Sequence, residues 1–394
     1  MTADSGQTKI YGSSDPTFTY QVSSGSLAGS DTFSGALDRV AGEDVDAYAI
    51  QQGTLSAGSN YNLTFVPADF TITKATLTVT ADDQSNDYGD PDPAFTFAYS
   101  GFVLSDTSAV LDTEPTCTVV GPHSNSGTYP ITCSGGADNN YDFSYVNGTF
   151  TVVGITVTPN ITANNKVYDG NTSAAFTCTL TGVVGGDDVS CTGGTASFAD
   201  KNAGVDKLVT ATGLSLAGAD LGNFTLSSTS ATATADITPR GLNVTATGIN
   251  KVYDATTTAT VSLSDNRLVG DSLTLTYSAS FLNPNVGSGK TVNVTGISIS
   301  GGTDAGNYSL NNTSTATTAN ITARPITVTA NNGQSKVYGS ANPTLTYQVT
   351  SGSLAGADAF SGALSRVAGE NVGVYAIQQG TLSAGSNYNL TFVP

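Results

Sequence analysis

The feature that most constrains this chain is an internal copy, in which the segment from Thr2 to Pro67 recurs from Thr329 to Pro394. The copies lie 327 residues apart, contain no insertion or deletion, and are identical at about four positions in five. Repetition of this kind fixes the architecture before any local pattern is considered. A chain built from near-copies of one module is typical of proteins that reach, span or adhere rather than catalyse.

A shorter motif divides the long period. Tyr followed by Gly or Asp recurs at spacings of 77, 80, 85 and 85 residues. These spacings exceed the roughly 20–50 residues of a solenoid repeat and suit a small self-standing domain. We therefore predict module 1 (1–74), module 2 (75–153), module 3 (154–239), module 4 (240–324) and module 5 (325–394). The motif residues are Tyr11-Gly12, Tyr88-Gly89, Tyr168-Asp169, Tyr253-Asp254 and Tyr338-Gly339.

Each motif residue has a structural interpretation. The tyrosine is expected to pack its ring and to hydrogen-bond its hydroxyl to backbone, with ligand stacking as the alternative. The following glycine is expected at positive φ, a region that Asp also visits.

Two further patterns recur once in every module. We interpret an Asn–aromatic pair as a turn followed by a core aromatic, and an Asp in a Gly/Ser-rich turn as an Asx turn or cap. Calcium bound between modules is the alternative role for these aspartates, although no DxDxD loop is present; otherwise no cofactor is expected. The pairs begin at Asn60, Asn140, Asn223, Asn307 and Asn387, and the aspartates are Asp31, Asp106, Asp187 or Asp188, Asp271 and Asp358.

Alternation of apolar and polar residues is the repeated local signal. Leu77 and Val79 alternate with threonines, and other modules repeat the pattern. A period of two indicates strands with one buried face. The predicted class is all-β, a tandem array of small β-sandwich or β-grasp-like modules. The best helix candidate is a single short turn near Leu27–Gly35, with its copy near Leu354–Gly362.

The module junctions contain only one to three residues between a closing and an opening strand. Such joints cannot span far, so we expect a stiff, extended rod on the order of 200 Å long. Module 1 lacks the Ile326–Val328 segment that opens module 5, and module 5 lacks the Ala68–Thr73 segment that closes module 1. We therefore expect a fragment of a longer array whose unpaired strand edges favour end-to-end self-association.

Composition excludes several classes of function. The net charge of −18 disfavours nucleic acid and anionic membranes as partners, and no run reaches the roughly 18 apolar residues of a membrane helix. The single histidine, His123, has no recurring partner, and no phosphate-binding or dinucleotide motif occurs. We predict that the chain is not an enzyme.

The four cysteines form two local pairs, each flanking a turn. Intramodule disulfides between the members of each pair are the natural pairing, and they imply an oxidising, extracytoplasmic location. Four free cytosolic thiols are the alternative. No Cys/His spacing indicates zinc. The pairs are Cys117 with Cys133 in module 2 and Cys178 with Cys191 in module 3.

The motifs with their flanks resemble known repeat domains of very large bacterial surface proteins. KIYGSSDPTFTY from Lys9, NDYGDPDPAFTF from Asn86 and KVYGSANPTLTY from Lys336 resemble the MBG domain of YGX type. KVYDGNTSA from Lys166 and KVYDATTTA from Lys251 resemble the YDG domain. The resemblance implies stalk modules of filamentous-haemagglutinin-like adhesins. The MBG name further implies a β-grasp-like fold and a glycan or mucin role, without assigning a binding residue here.

The sequence thus predicts an extracellular, cell-surface stalk or spacer of a bacterial adhesin that supports surface or biofilm attachment. Its partners would be host or matrix glycans and proteins, reached through the parent adhesin. The alternatives are a multivalent carbohydrate- or mucin-binding array and a self-associating matrix fibre. A binding array should expose a repeated aromatic cluster on one face, whereas a stalk should bury those aromatics.

Overall fold

The structure is a computed structural model that describes residues 1–394. Strands contain 49% of the residues, and no α-helix is present. This confirms the all-β class. The expected helical turn near Leu27–Gly35 is wrong: Asp31 N–H donates to Ala28 O at 3.1 Å to close a turn, and Ser34 then bridges Ser56. Gly29 and Gly35 both adopt positive φ, which breaks a helix at once.

The chain forms two compact units. Unit 1 comprises Met1–Asn160, Cys178–Gly194 and Gly213–Ser230; unit 2 comprises Ile161–Thr177, Thr195–Thr212 and Ala231–Pro394. The division falls within module 3. No helix of the structure has the length and hydrophobicity needed to cross a bilayer.

Module 1, in unit 1, is organised around its closing strand. Its strands are β1 (Thr2–Ala3), β2 (Gln7–Ile10), β3 (Tyr20–Gln21), β4 (Asp38–Arg39), β5 (Ala47–Gln51) and β6 (Asp69–Thr73). β6 lies between β2, which is parallel to it, and β5, which is antiparallel, and β1 pairs with β3. Phe70 and Ile72 of β6 are fully buried, because alternate residues of a strand face the same side.

Module 2, also in unit 1, is a sandwich of two sheets. Its strands are β7 (Ala75–Ala81), β8 (Gln84–Asp87), β9 (Phe97–Ser100), β10 (Thr116–Val119), β11 (Gly127–Ser134), β12 (Tyr141–Val146) and β13 (Gly148–Val153), with a 3₁₀ turn at Ser108–Val110. One sheet has the order β12-β7-β9 and the other β10-β11-β13-β8. Val79 from the first sheet packs with Ile131 and Phe150 from the second, all three fully buried.

Module 3 contributes to both units. Its strands are β14 (Ile155–Ala163), β15 (Lys166–Val167), β16 (Ser173–Ala174), β17 (Phe176–Thr181), β18 (Ser190–Phe198), β19 (Gly204–Ala217), β20 (Phe224–Leu226) and β21 (Ser230–Thr238), with a 3₁₀ turn at Leu221–Asn223. In unit 1, β14 is parallel to β20, with Ile155 opposite Phe224. In unit 2, β15 is parallel to β21, and β16 is antiparallel to β18.

Module 4, in unit 2, is built on a long hairpin. Its strands are β22 (Arg240–Leu242), β23 (Val244–Ile249), β24 (Lys251–Val252), β25 (Thr260–Asp265), β26 (Thr274–Phe281), β27 (Gly287–Gly301), β28 (Tyr308–Leu310) and β29 (Thr315–Thr322), with a 3₁₀ turn at Ala305–Asn307. The largest sheet has the order β24-β29-β27-β26, and β22 pairs with β28 and β23 with β25. Val292 and Val294 of β27 are fully buried at alternate positions.

Module 5, in unit 2, has fewer strands than its near-copy, module 1. Its strands are β30 (Arg324–Ala330), β31 (Tyr347–Ser351), β32 (Ser365–Arg366), β33 (Ile377–Gln378) and β34 (Tyr388–Val393). β30 is parallel to β34 and antiparallel to β31. Val328 of β30 is fully buried and packs against Leu364 and Leu382 in a small core.

Candidate functional site

The recurring Tyr, Asp and Asn–aromatic motifs converge at the junctions between successive modules. We call each such group a joint. At the joint between modules 1 and 2, Tyr11 Oη donates to Asp106 Oδ2 at 3.1 Å, and Tyr141 Oη donates to the same oxygen at 2.8 Å. The two rings meet edge to face with centroids 5.5 Å apart. One carboxylate of module 2 therefore binds a tyrosine from each module.

The joint between modules 4 and 5 has the same geometry. Tyr253 Oη and Tyr388 Oη donate to Asp358 Oδ2 at 2.9 Å and 2.7 Å, and their centroids are 5.5 Å apart. Tyr388 Oη also accepts the backbone N–H of Ala355 at 2.7 Å. The Tyr388 hydroxyl is thus both donor and acceptor, so burying it leaves no unpaired polar atom.

The joint between modules 3 and 4 adds a cation. Tyr168 Oη and Tyr308 Oη donate to the two oxygens of Asp271 at 3.3 Å and 2.5 Å. Lys201 Nζ lies 3.7 Å from Asp271 Oδ1 and 3.5 Å from Asp304 Oδ1. The Asp271 side chain is only 6% exposed, and a buried charge of this kind requires such partners.

The joint between modules 2 and 3 differs by one atom. Phe224 stands where the other three joints have a tyrosine, and its ring meets Tyr88 at 5.7 Å. Tyr88 Oη donates to Asp187 Oδ1 at 3.2 Å. Asp187 Oδ2 is buried without a hydrogen-bond partner, because the hydroxyl that would reach it is missing.

Each joint also contains the asparagine of the Asn–aromatic pair, which binds the main chain of the preceding module. Its Oδ1 accepts a backbone N–H from a loop of the preceding module. This side-chain bond satisfies a main-chain donor that strand pairing does not reach. The donors are Val45 N to Asn140 at 2.9 Å, Ser126 N to Asn223 at 2.8 Å, Ala203 N to Asn307 at 2.8 Å and Val286 N to Asn387 at 2.9 Å.

Burial perturbs the joint tyrosines. Loss of hydration is the main cause that raises the pKa of Tyr11, of Tyr141 and of Tyr308 to about 12. A hydrogen bond to an ionised carboxylate raises it further, since the neutral hydroxyl is the donor. These phenols therefore remain protonated, and remain donors, throughout the neutral range.

The residue after the motif tyrosine differs between the two module types for a local reason. Gly12 and Gly339 adopt φ of 82° and 76°, as predicted. The expectation that Asp takes the same conformation is wrong, because in modules 3 and 4 the positive φ falls on the next residue, Gly170 or Ala255. Asp254 instead accepts Lys251 Nζ at 2.7 Å.

The same lysine–aspartate clamp occurs in module 3. Lys166 Nζ donates to Asp169 Oδ1 at 2.8 Å and to the carbonyl oxygens of Asn171 and Ser173. Burial works against ionisation of Asp169, but the bonds from Lys166 and the Asn171 N–H outweigh it and lower its pKa. The YD motif therefore closes a loop within its own module, whereas the tyrosine faces the next one.

Sequence reasoning found the joint residues but not their relation. The tyrosine hydroxyls donate to a carboxylate of the next module rather than to backbone. The joint aspartates accept tyrosine hydroxyls, so the Asx-turn interpretation misses their main contact. The shared period of the three motifs could not reveal the relation, because every residue of a repeated module recurs with that period whether or not it meets the others.

The two ends of the chain contain half-joints. Tyr61 Oη donates to Asp31 Oδ2 at 2.8 Å and accepts Ala28 N–H at 2.7 Å, as in the opening half of a joint. Tyr338, the counterpart of Tyr11, is 69% exposed, whereas Tyr11 is 8% exposed. Covering by the next module therefore accounts for the burial of the motif tyrosine.

Other candidate chemistry is limited. The disulfides join Cys117 to Cys133, opposite each other on β10 and β11, and Cys178 to Cys191. No group of three or more His, Cys, Asp or Glu side chains is arranged to hold a metal ion. His123 Nε2 lies 2.6 Å from Asp92 Oδ2, and its bonds to the Gly121 carbonyl and to Asp92 raise its pKa.

Comparison with solved structures gives low overall similarity. The N-terminal eight Ig domains of Down Syndrome Cell Adhesion Molecule match 74% of this chain at 13% identity and a TM-score of 0.20, and the chain covers 43% of that structure. Drosophila N-cadherin EC1-3 matches 64% of this chain, which covers 98% of that structure, at 10% identity and a TM-score of 0.17. The titin I9-I11 tandem also matches 64% of this chain, which covers 97% of that structure, at 14% identity and a TM-score of 0.17. These scores support no inference. No curated protein was found to match.

Family comparison is decisive. The MBG domain (YGX type) matches residues 1–71, 77–151 and 326–394. The YDG domain matches residues 154–233 and 238–318. Both are families of non-catalytic repeat domains. Together the matches extend over nearly the whole chain, which therefore belongs to the MBG (YGX type) and YDG domain families as a tandem-repeat protein.

Proposed function

We propose that the chain is a structural spacer of an extracellular bacterial adhesin, in which the joints stiffen a series of small β-modules. The modules would hold a binding region away from the cell surface, and host or matrix glycans and proteins would be engaged by the parent adhesin. The two disulfides support an oxidising location outside the cytoplasm.

The observation that carries this proposal is the repeated joint. Every junction uses a motif tyrosine, a carboxylate and an asparagine clamp, and the tyrosine is buried at every junction except that of Tyr88, which is half-buried. A hydrogen bond to a charged group contributes about 1.5–3 kcal/mol, and leaving such a group buried and unpaired is costly. Bending a joint would expose or orphan the carboxylate, so the same chemistry that stabilises the junction resists its flexing.

The distribution of aromatic side chains favours a spacer over a binding array. Among the large exposed apolar residues only Tyr277 and Tyr338 are aromatic. Tyr338 belongs to a terminal half-joint, and Tyr277 Oη donates to the Val261 carbonyl within module 4. The recurring aromatic side chains pack in the joints and in the cores of the modules. A repeated aromatic platform, which multivalent glycan recognition would use, is absent.

The test is small-angle X-ray scattering of the full chain across concentration, with and without a calcium chelator. We expect an elongated particle with a maximum dimension on the order of 200 Å, unchanged by the chelator. Asp358→Ala should increase flexibility, because both tyrosines lose their acceptor. Asp112→Ala, at an exposed aspartate outside the joints, is the control.

Three results would contradict the proposal. A compact particle would contradict the spacer function. A shorter maximum dimension after calcium chelation would mean that bound calcium, rather than the joints, keeps the chain extended. Scattering of Asp358→Ala identical to that of wild type would mean that the joint does not restrain the modules. Saturable binding of mucin to the full chain would instead favour the multivalent array.

A further inference from the structure

The loop after the motif tyrosine of module 2 is closed by the only histidine of the chain, His123. Its Nε2 lies 2.6 Å from Asp92 Oδ2, and its Nδ1 lies 2.8 Å from the Gly121 carbonyl oxygen. A carboxylate and a carbonyl only accept hydrogen bonds, and a neutral imidazole has a single N–H to donate. Both contacts are therefore hydrogen bonds only when the ring is protonated.

Module 1 has a permanent cation in the same place. Arg39 Nε lies 2.6 Å from Asp15 Oδ2, and its guanidinium carbon lies 5.2 and 5.5 Å from the ring centroids of Tyr48 and Phe70. Lys9 Nζ, a second cation, lies 2.6 Å from Asp15 Oδ1. In module 2 the histidine contacts the counterparts of the same acceptor and the same two rings, which are Asp92, Tyr129 and Phe150.

Module 2 has no other cation for this role. Residues 75–153 contain no lysine or arginine, and Asn86 stands where module 1 has Lys9. Tyr129 is the ionisable group whose ring packs against the imidazole, and its hydroxyl donates to the Asn125 carbonyl oxygen at 2.8 Å. The charged groups that line the cavity of about 630 Å³ beside the histidine are all carboxylates, namely Asp87, Asp90 and Asp92. A positive charge within module 2 therefore depends on the histidine ring.

The two loops that the histidine connects both bind module 3. Tyr88, in the first loop, donates from its Oη to Asp187 Oδ1 at 3.2 Å. Ser126, in the second loop, donates from its N–H to Asn223 Oδ1 and from its Oγ to the Gly222 carbonyl oxygen, both at 2.8 Å. The contact between His123 and Asp92 thus restrains the module 2 side of the joint.

We propose that the joint between modules 2 and 3 is a pH-sensitive hinge, closed when His123 is protonated and more often open when it is neutral. Loss of the proton leaves one of the two acceptors, the Gly121 carbonyl or the Asp92 carboxylate, without a donor, so the loop that contains Ser126 loses a restraint. The consequence for the stiffness of the whole chain rests on the proposed spacer function.

The direction of the pH dependence follows from the same contacts. The hydrogen bonds to the Gly121 carbonyl and to Asp92 raise the pKa of His123 above its ordinary value of about 6.5. Because the folded-state pKa is raised, the stabilising contribution is complete below about pH 6.5 and is lost as the pH rises through the folded-state value. The joint should therefore be most closed in mildly acidic solution.

The experiment measures hydrogen exchange of the full chain at about pH 5.5 and about pH 8.5, on either side of the ordinary histidine range, with each rate divided by that of an unprotected amide. Protection of Ser126 should fall about 2- to 5-fold at the higher pH, as expected for a partly exposed ion pair. Val45 is the internal control, because its N–H makes the same bond to Asn140 Oδ1, at 2.9 Å, in a joint that Arg39 restrains. Its protection should not change.

Two variants and one spectroscopic measurement complete the test. In His123→Gln, protection of Ser126 should be low and equal at both pH values, while protection around Ile131 shows that module 2 is folded. Because the chain has one histidine, its ring resonances in the NMR spectrum report a single titration. The midpoint should lie above about pH 6.5, should coincide with the change at Ser126, and should fall in Asp92→Asn.

Four results would overturn the proposal. They are equal protection of Ser126 in the wild-type chain at both pH values, an equal loss at Val45, a pH dependence that persists in His123→Gln, or a histidine midpoint that Asp92→Asn does not lower. The wild-type comparison needs no variant to fold. The spacer function is tested separately by the scattering of Asp358→Ala, so its failure would leave these outcomes unchanged.

Discussion

Adding one hydroxyl to the joint between modules 2 and 3 should stabilise it. Phe224→Tyr places a phenol where the other three joints already have one, next to the Asp187 oxygen that is buried without a partner. The added hydroxyl has the same room as in the other joints, because the Tyr88–Phe224 centroid distance of 5.7 Å is close to the 5.5–5.6 Å of the tyrosine pairs. The substitution therefore completes an existing arrangement.

The expected size of the effect follows from the hydrogen bond gained. A bond from a hydroxyl to a buried carboxylate contributes about 1.5–3 kcal/mol. In the other joints the hydroxyl also accepts a backbone N–H, at 3.0 Å from Val103 and 2.9 Å from Leu268, and the equivalent donor here would be Val184. Local opening should become about 10- to 100-fold rarer.

Hydrogen exchange of the full chain measures this opening directly. Amides around Val184–Asp188 should exchange more slowly in Phe224→Tyr than in wild type. Tyr308→Phe is the mirror control, because it removes the hydroxyl from Asp271 and should speed exchange around Leu268–Asp271 by a similar factor. If neither substitution changes exchange in its own joint, the hydroxyl–carboxylate contact does not stabilise the junction and the reasoning is refuted.

Three other predictions test the joints and the disulfide. A Cβ at Gly12 would lie 2.4 Å from Val103 Cγ2, whereas a Cβ at Gly339 would meet no atom within 4 Å. Replacing either glycine with Ala introduces the strain of positive φ, about 1–3 kcal/mol. Only Gly12→Ala should also speed hydrogen exchange at its joint. The folded-state pKa of Tyr141, about 12, exceeds the unfolded value of about 10, so its stabilising contribution is complete below pH 10 and is lost as the pH rises through 12. Tyr141→Phe should accordingly remove a phenolate absorbance step near pH 12, and a step removed near pH 10 would contradict the assignment. Replacing both members of the Cys117–Cys133 bridge with Ala should destabilise module 2 by about 2–4 kcal/mol, seen by calorimetry as a lower transition for one part of the chain, and an unchanged thermogram would contradict it.

Self-association remains a prediction. Tyr338 is exposed at one end of the chain, and the Asp31–Tyr61 half-joint lies at the other. These surfaces have the chemistry of the two sides of a joint. Sedimentation of the full chain over a range of concentrations should show weak end-to-end association that Tyr338→Ala reduces and Tyr277→Ala does not. A monomer at every concentration would contradict this prediction.

The sequence by itself determined the all-β class and the repeated modules. Alternation such as Leu77 and Val79 specifies strands because consecutive side chains point to opposite faces, and the motif period specifies repetition whatever the fold. The positive φ of Gly12 could also be predicted, because it is a local property of one residue.

Only the tertiary structure decided what the recurring residues do. Tyr11 meets Asp106 across 95 positions of sequence, and no local pattern indicates which module supplies the acceptor of a hydroxyl. The orphaned oxygen of Asp187 likewise depends on atoms brought together from distant segments. Strand formation follows from the periodicity of neighbouring residues, whereas a joint follows from how two folded surfaces meet.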